Sequence, residues 1–167
     1  MRIIASGLCA LGLLTTHLAV AGPCARPAEK TAFDVAGLKS ELMVTALTCD
    51  ARDKYNAFIG KYRADLGRHE SALNGYFSRS YGRAASTQRD AYITNLANAQ
   101  SQAGLRQGTA FCQQHVGLFD DVLALPKAGE LPVFAAKQSI IQPISVEPCA
   151  VPAPKSRSRR VAGATSK

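Results

Sequence analysis

The cysteines of this chain stand in no metal or redox spacing. No two of the five form Cys-x-x-Cys, and the haem-attachment pattern Cys-x-x-Cys-His is absent too. Structural zinc, a redox-active dithiol and attached haem therefore lose their usual signatures. His69-Glu70 lacks the second histidine of His-Glu-x-x-His, the arrangement that sets two imidazoles on one zinc ion. No carboxylate or cysteine stands at ligand spacing beside His69 or His115, so both read as boundary or core histidines with hydrogen-bond partners. No metal and no cofactor is expected. Beyond residue 21 there is no further apolar run approaching the ~20 residues that span a bilayer. From residue 150 onward there is no acidic residue at all.

What is present begins at the N-terminus. Met1-Arg2 places one positive charge before an apolar run from Ile3 to Val20, and Ala19-Val20-Ala21 supplies small residues just before Gly22. A charged start, a short apolar middle and a small-residue exit make the tripartite pattern of a secretory signal. Residues 1–21 are read as a cleaved signal peptide, and the mature protein as periplasmic or secreted with no transmembrane anchor. Leu8 precedes Cys9 and Pro23 precedes Cys24, so neither cysteine has the small preceding residue of a lipoprotein acceptor. Cleavage removes Cys9 and leaves Cys24, Cys49, Cys112 and Cys149. Four cysteines in an exported chain argue for two disulfides, with three connectivities open at this point.

Residues 22–32, with Pro23 and Pro27, read as an extended lead-in. The pattern then turns helical over 33–125. Asp34 is placed to cap a first helix ending near Cys49, and Asp50 to cap a second. In that second helix Tyr55, Phe58, Ile59, Tyr62, Leu66, His69, Leu73 and Phe77 recur at threes and fours, the clearest amphipathic signal in the chain. Asn74-Gly75 marks its end, and 75–85 reads as a turn. Ser86 or Thr87 opens a third helix and Thr109 a fourth, which stops before Pro126. Gly104 and Gly108 bracket a break between them, and glycine alone leaves open whether they are one kinked rod.

The fold class is thus all-α: a small antiparallel bundle of three to four helices, disulfide-stapled, with an extended Pro-rich arm over 126–149 and a disordered basic tail over 150–167. Antiparallel packing puts the end of the first helix at the pole where the fourth begins. That pairs Cys49 with Cys112, and Cys24–Cys149 follows by elimination.

Four features carry candidate chemistry. The whole chain has a net charge of +8, and Lys155, Arg157, Arg159, Arg160 and Lys167 supply five of those charges. A flexible basic tail of this kind gains Coulomb energy on a dense polyanion, so Lys155, Arg157, Arg159 and Arg160 are read as polyanion-binding, toward an anionic envelope polymer or lipid headgroups. Tyr76, Arg79, Tyr81 and Arg83 interleave aromatics with arginines, a glycan or partner surface, unless the aromatics anchor a turn to the core. Export makes nucleic acid an unexpected partner. Asp120-Asp121 reads as a solubilising pair. Finally, Glu70-Ser71 with Gly104-Leu105-Arg106-Gln107 resembles lytic transglycosylases, in which a glutamate before serine acts as general acid. The match covers only those positions, and Arg106 stands where the family has methionine.

A broader likeness runs through Leu38-Lys39-Ser40-Glu41-Leu42-Met43-Val44-Thr45-Ala46-Leu47-Thr48-Cys49, Tyr55-Asn56-Ala57-Phe58, Tyr92-Ile93-Thr94-Asn95-Leu96-Ala97-Asn98-Ala99-Gln100-Ser101 and Gly108-Thr109-Ala110-Phe111-Cys112. These segments resemble an uncharacterised family of small exported helical proteins from alphaproteobacteria. The resemblance implies location and general shape and transfers no catalytic residue. The expectation is a non-enzymatic exported protein that binds anionic envelope components or a protein partner. The alternatives are a peptidoglycan-active, glycan-cleaving enzyme using Glu70 and an accessory subunit of an exported complex.

Overall fold

A computed structural model describes residues 23–150. Residues 1–22, with the expected signal, and residues 151–167, with Lys155, Arg157, Arg159 and Arg160 of the expected basic tail, lie outside the described residues. Six α-helices follow one another: α1 Pro27–Thr48, α2 Arg52–Tyr81, α3 Ala85–Gln107, α4 Ala110–His115, α5 Gly117–Ala124 and α6 Leu131–Lys137. The fold is all-α and carries two disulfides.

The first helix starts earlier than Asp34. Pro27 occupies its first turn, where the missing N–H costs nothing and the fixed φ favours helix. Glu29 reaches back to accept the backbone N–H of Arg26 at 2.7 Å, the return half of a capping box. The extended lead-in therefore ends at Arg26, and Asp34 sits inside the helix, paired with Lys30 at 2.6 Å. Helix α1 is buried on most of its circumference: Phe33, Val35, Leu38, Leu42 and Ala46 meet neighbours on different sides. Such all-round burial marks the central rod of a bundle.

Asp50 does not cap α2 with its side chain. Instead it takes a left-handed conformation, φ 53°, and turns the chain between α1 and α2. Nor does α2 stop at Asn74-Gly75. Leu73, Tyr76 and Phe77 continue its buried stripe, and that packing outweighs the roughly 1 kcal/mol helix penalty of a glycine. Gly82, at φ 53°, ends the helix, and one 3-10 turn, Gly82–Ala84, leads straight into α3. Gly108, at φ 58°, ends α3, its N–H donating to the Gly104 carbonyl at 3.2 Å. Helices three and four are therefore separate. The expected fourth helix is itself broken at Val116 into α4 and α5.

The Pro-rich arm is extended only in its second half. A 3-10 turn, Ala128–Glu130, and α6 occupy its first half, because Pro132 falls in the first turn of α6, where proline is tolerated. Leu131 and Ala135 on α6 are buried in the core with Leu38, Leu42 and Phe119. From Gln138 the chain descends along α1 to its N-terminal end. There the Ala25 N–H donates to the Glu147 carbonyl and the Cys149 N–H to the Ala25 carbonyl, each at 2.8 Å.

Cys49 is bonded to Cys112 (Cα–Cα 5.5 Å) and Cys24 to Cys149 (Cα–Cα 4.7 Å). The first staple joins the end of α1 to α4. The second fastens the arm to the lead-in.

Candidate functional site

Helices α2 and α3 form a hairpin against α1, and the three enclose a groove of about 200 Å³. Ala32, Val35, Ala36, Lys39, Ser40 and Met43 line it from α1, the three-and-four spacing that keeps residues on one helix face. Leu66 and Leu73 from α2 and Ile93 from α3 add apolar wall, and Tyr55 contributes a ring. Ile93 is an exposed large apolar residue at this groove.

Polar groups gather at its edge. Glu70 accepts from Arg89 at 2.9 Å, and Arg89 also reaches Asp90 at 3.3 Å. Lys39 forms no ion pair among the described residues. Two buried donors that line the groove, Ser40 Oγ and Arg89 Nε, have no hydrogen-bond partner among the described residues. Buried donors of this kind are uncommon and call for an explanation. Burial holds the His69 imidazole below its ordinary value of 6.5, with Asp65 opposing and Arg68 adding to the shift, so the ring is neutral at neutral pH. The net arrangement is an apolar trough edged by a lysine with no ion pair among the described residues, suited to a molecule with a hydrocarbon part and an acidic end.

The residues singled out in the sequence fall as follows. Glu70 is at the rim of this groove, its side chain 48% exposed and salt-bridged to Arg89. An exposed carboxylate held by an arginine lacks the desolvated setting of a general acid. Tyr76 and Arg79 have partners within the chain. Tyr76 is buried edge-on against Phe33, ring centroids 4.9 Å apart, with its hydroxyl donating to the Pro23 carbonyl at 3.1 Å. Arg79 is committed to Glu29 through bonds of 2.5 and 3.1 Å and to the Cys24 carbonyl at 2.8 Å. Tyr81 stacks half-buried on Phe77, and Arg79 and Arg83 are both exposed. Continuation of α2 past Gly75 turns Tyr76 inward as an anchor and aims Arg79 at the start of α1. Asp120 is exposed and paired with Lys54 at 2.6 Å.

The groove itself was not legible in the sequence. Ala32, Ala36 and Met43 look like ordinary helix-surface or core positions, and only the packing of α2 and α3 around α1 makes them a lining. Compared with protein-family models, curated proteins and solved structures, the chain matches none. The functional reading rests on geometry and chemistry.

Proposed function

We propose that this protein is an exported, non-enzymatic binding protein that holds a small amphipathic anion, its hydrocarbon part in the α1–α2–α3 groove and its acidic group near Lys39. One observation carries the reading: an apolar groove edged by Lys39, which forms no ion pair among the described residues. Burying about five methylenes gains ~4 kcal/mol, which corresponds to a Kd of about 1 mM before any contribution from Lys39. Membership of the exported class is supported by the two disulfides, which form and persist in oxidising compartments, and by the signal-like N-terminus. No helix among the described residues is long and apolar enough to cross a membrane. In this reading the basic tail adds electrostatic attraction to an anionic envelope surface, where amphipathic anions are concentrated.

The test is displacement of a polarity-sensitive anionic dye by octanoate. Saturable displacement is expected, weakened by Lys39→Glu and abolished by Ile93→Asp, with octylamine a poor competitor. Equal competition by octanoate and octylamine would sink the anion assignment, and binding indifferent to both substitutions would remove the groove. Intact mass of the protein from the envelope fraction checks export separately: a chain beginning at Gly22 with no free thiol is expected.

A further inference from the structure

One ionisable residue of the groove has so far been given no part in it. His69 follows Leu66 by three residues and precedes Leu73 by four, the spacing of one helix face, and all three line the groove. Leu66 packs in the cluster of Leu38 and Leu42, whereas Leu73 packs in that of Ala32 and Phe33. His69 therefore comes opposite the middle of α1, at the level of Ala36 and Lys39 on the facing wall.

The residue pattern leads one to expect a hydrogen-bond partner for this ring, and among the described residues there is none. The ring is half-buried, yet its nitrogens keep contact with solvent. An imidazole with open nitrogens on the wall of an apolar groove can meet whatever enters it.

The charges that face His69 come from three helices. Asp65 and Arg68 stand on neighbouring positions of α2 and pair with each other, and Glu70 is held by Arg89 of α3 at 2.9 Å. Lys39 of α1 forms no ion pair among the described residues. Histidine is the side-chain type that ordinarily changes charge between pH 5 and 8, which makes His69 the pH-responsive group of this groove. Burial is the main influence favouring its neutral ring, because a cation there loses hydration without gaining a counter-charge. An anion seated at Lys39 supplies that counter-charge and favours the protonated ring.

We propose that His69 is a second cationic contact of the groove, taking up a proton as an amphipathic anion binds. The inference rests on the amphipathic-anion reading, to which it adds a residue and a pH dependence. One proton passes from solvent to an imidazole nitrogen, which then donates to an oxygen of the anion. The gain in affinity is full below the titration midpoint of the free protein and is lost as pH rises through that of the complex. The groove thus takes up its ligand in mildly acidic surroundings and gives it up at higher pH.

The experiment uses the oxidised full chain and octanesulfonate, which stays ionised throughout and adds no titration of its own. The imidazole C–H resonances are followed by NMR from pH 5 to 8, with and without saturating octanesulfonate. The His69 midpoint is expected below its ordinary 6.5 without the sulfonate and higher with it, while the His115 resonances do not follow. Kd should be about threefold to tenfold lower at pH 5 than at pH 8, and independent of pH in His69→Asn. The resonances are read in the native chain, so the result stands whether or not that variant folds. Saturable binding with an unmoved His69 midpoint, or with one affinity across the range, overturns the inference and leaves the anion reading intact. Absence of binding by octanesulfonate and octanoate at every pH ends both.

Discussion

Glu29 and Glu41 are both buried on α1, yet their partners give them opposite responses to pH. At Glu29 burial opposes ionisation, but hydrogen bonds from Arg79 and the Arg26 backbone outweigh it and hold the carboxyl below its ordinary 4.5. At Glu41 burial dominates and His115 offsets it only in part, so the carboxyl is held above 4.5. A depressed pKa contributes stability that is present above 4.5 and lost as pH falls through the folded value. A raised one contributes most below 4.5 and loses that contribution as pH rises through the folded value. Glu29→Gln should therefore cost about 2 kcal/mol at neutral pH, with the deficit shrinking below pH 4.5 in urea midpoints measured across the acid range. Glu41→Gln should instead gain on the native protein as pH rises. A second site of tight fit is Gly37. A Cβ there would stand 2.4 Å from Gln142 Nε2 and 3.2 Å from Ile140 Cγ2. Gln142 would have to give up its bond to Phe33, so Gly37→Ala should lose about 1–2 kcal/mol, readable by thermal unfolding.

Among the elements, α2 was the most legible and α6 the least. The stripe Tyr55, Phe58, Tyr62, Leu66, Leu73 and Phe77 is long enough to declare a helix from sequence, and these residues do line the core or pack against it. Its end was misplaced because Asn74-Gly75 is a local stop signal, whereas Tyr76 and Phe77 are held by contacts with Phe33 on α1. Helix α6 is seven residues long and carries a proline, too short for a periodic pattern, and isolated helices of that length are marginal in water. It persists because Leu131 is fully buried against the bundle. Leu131→Ala should accordingly cost about 2–4 kcal/mol, and hydrogen exchange should then speed up in α6 and the chain after it ahead of α1. If exchange instead rose uniformly, α6 would belong to the same cooperative unit as the centre of the bundle.

Over the whole molecule, the two staples divide the work. Cys49–Cys112 ties the end of α1 to α4, whereas Cys24–Cys149 closes a sequence separation of 125 residues and fixes the two ends of the described segment at one pole. A covalent link across so long a loop removes much unfolded-chain entropy. Replacing Cys24 and Cys149 together by serine should lower stability by about 3 kcal/mol and expose the segment after Gln138 to proteolysis. Retention of native stability in that double variant would mean that Gln100, Gln142 and the Ala25–Pro148 bridge alone seat the arm.

Some of this was settled by local chemistry. Helical periodicity, cysteine number and the absence of catalytic spacing depend on neighbours in sequence, so the all-α class and the antiparallel logic that pairs Cys49 with Cys112 could be argued before any coordinates. The binding surface could not. Lys39, Ser40 and Arg89 share a groove, and Glu41 meets His115, only because α1 lies at the centre with different neighbours on each face. Tertiary packing also decided that Tyr76 turns inward and that Arg79 pairs with Glu29. A side chain's partner across the bundle is set by long-range burial, and no window of sequence contains both members of the pair.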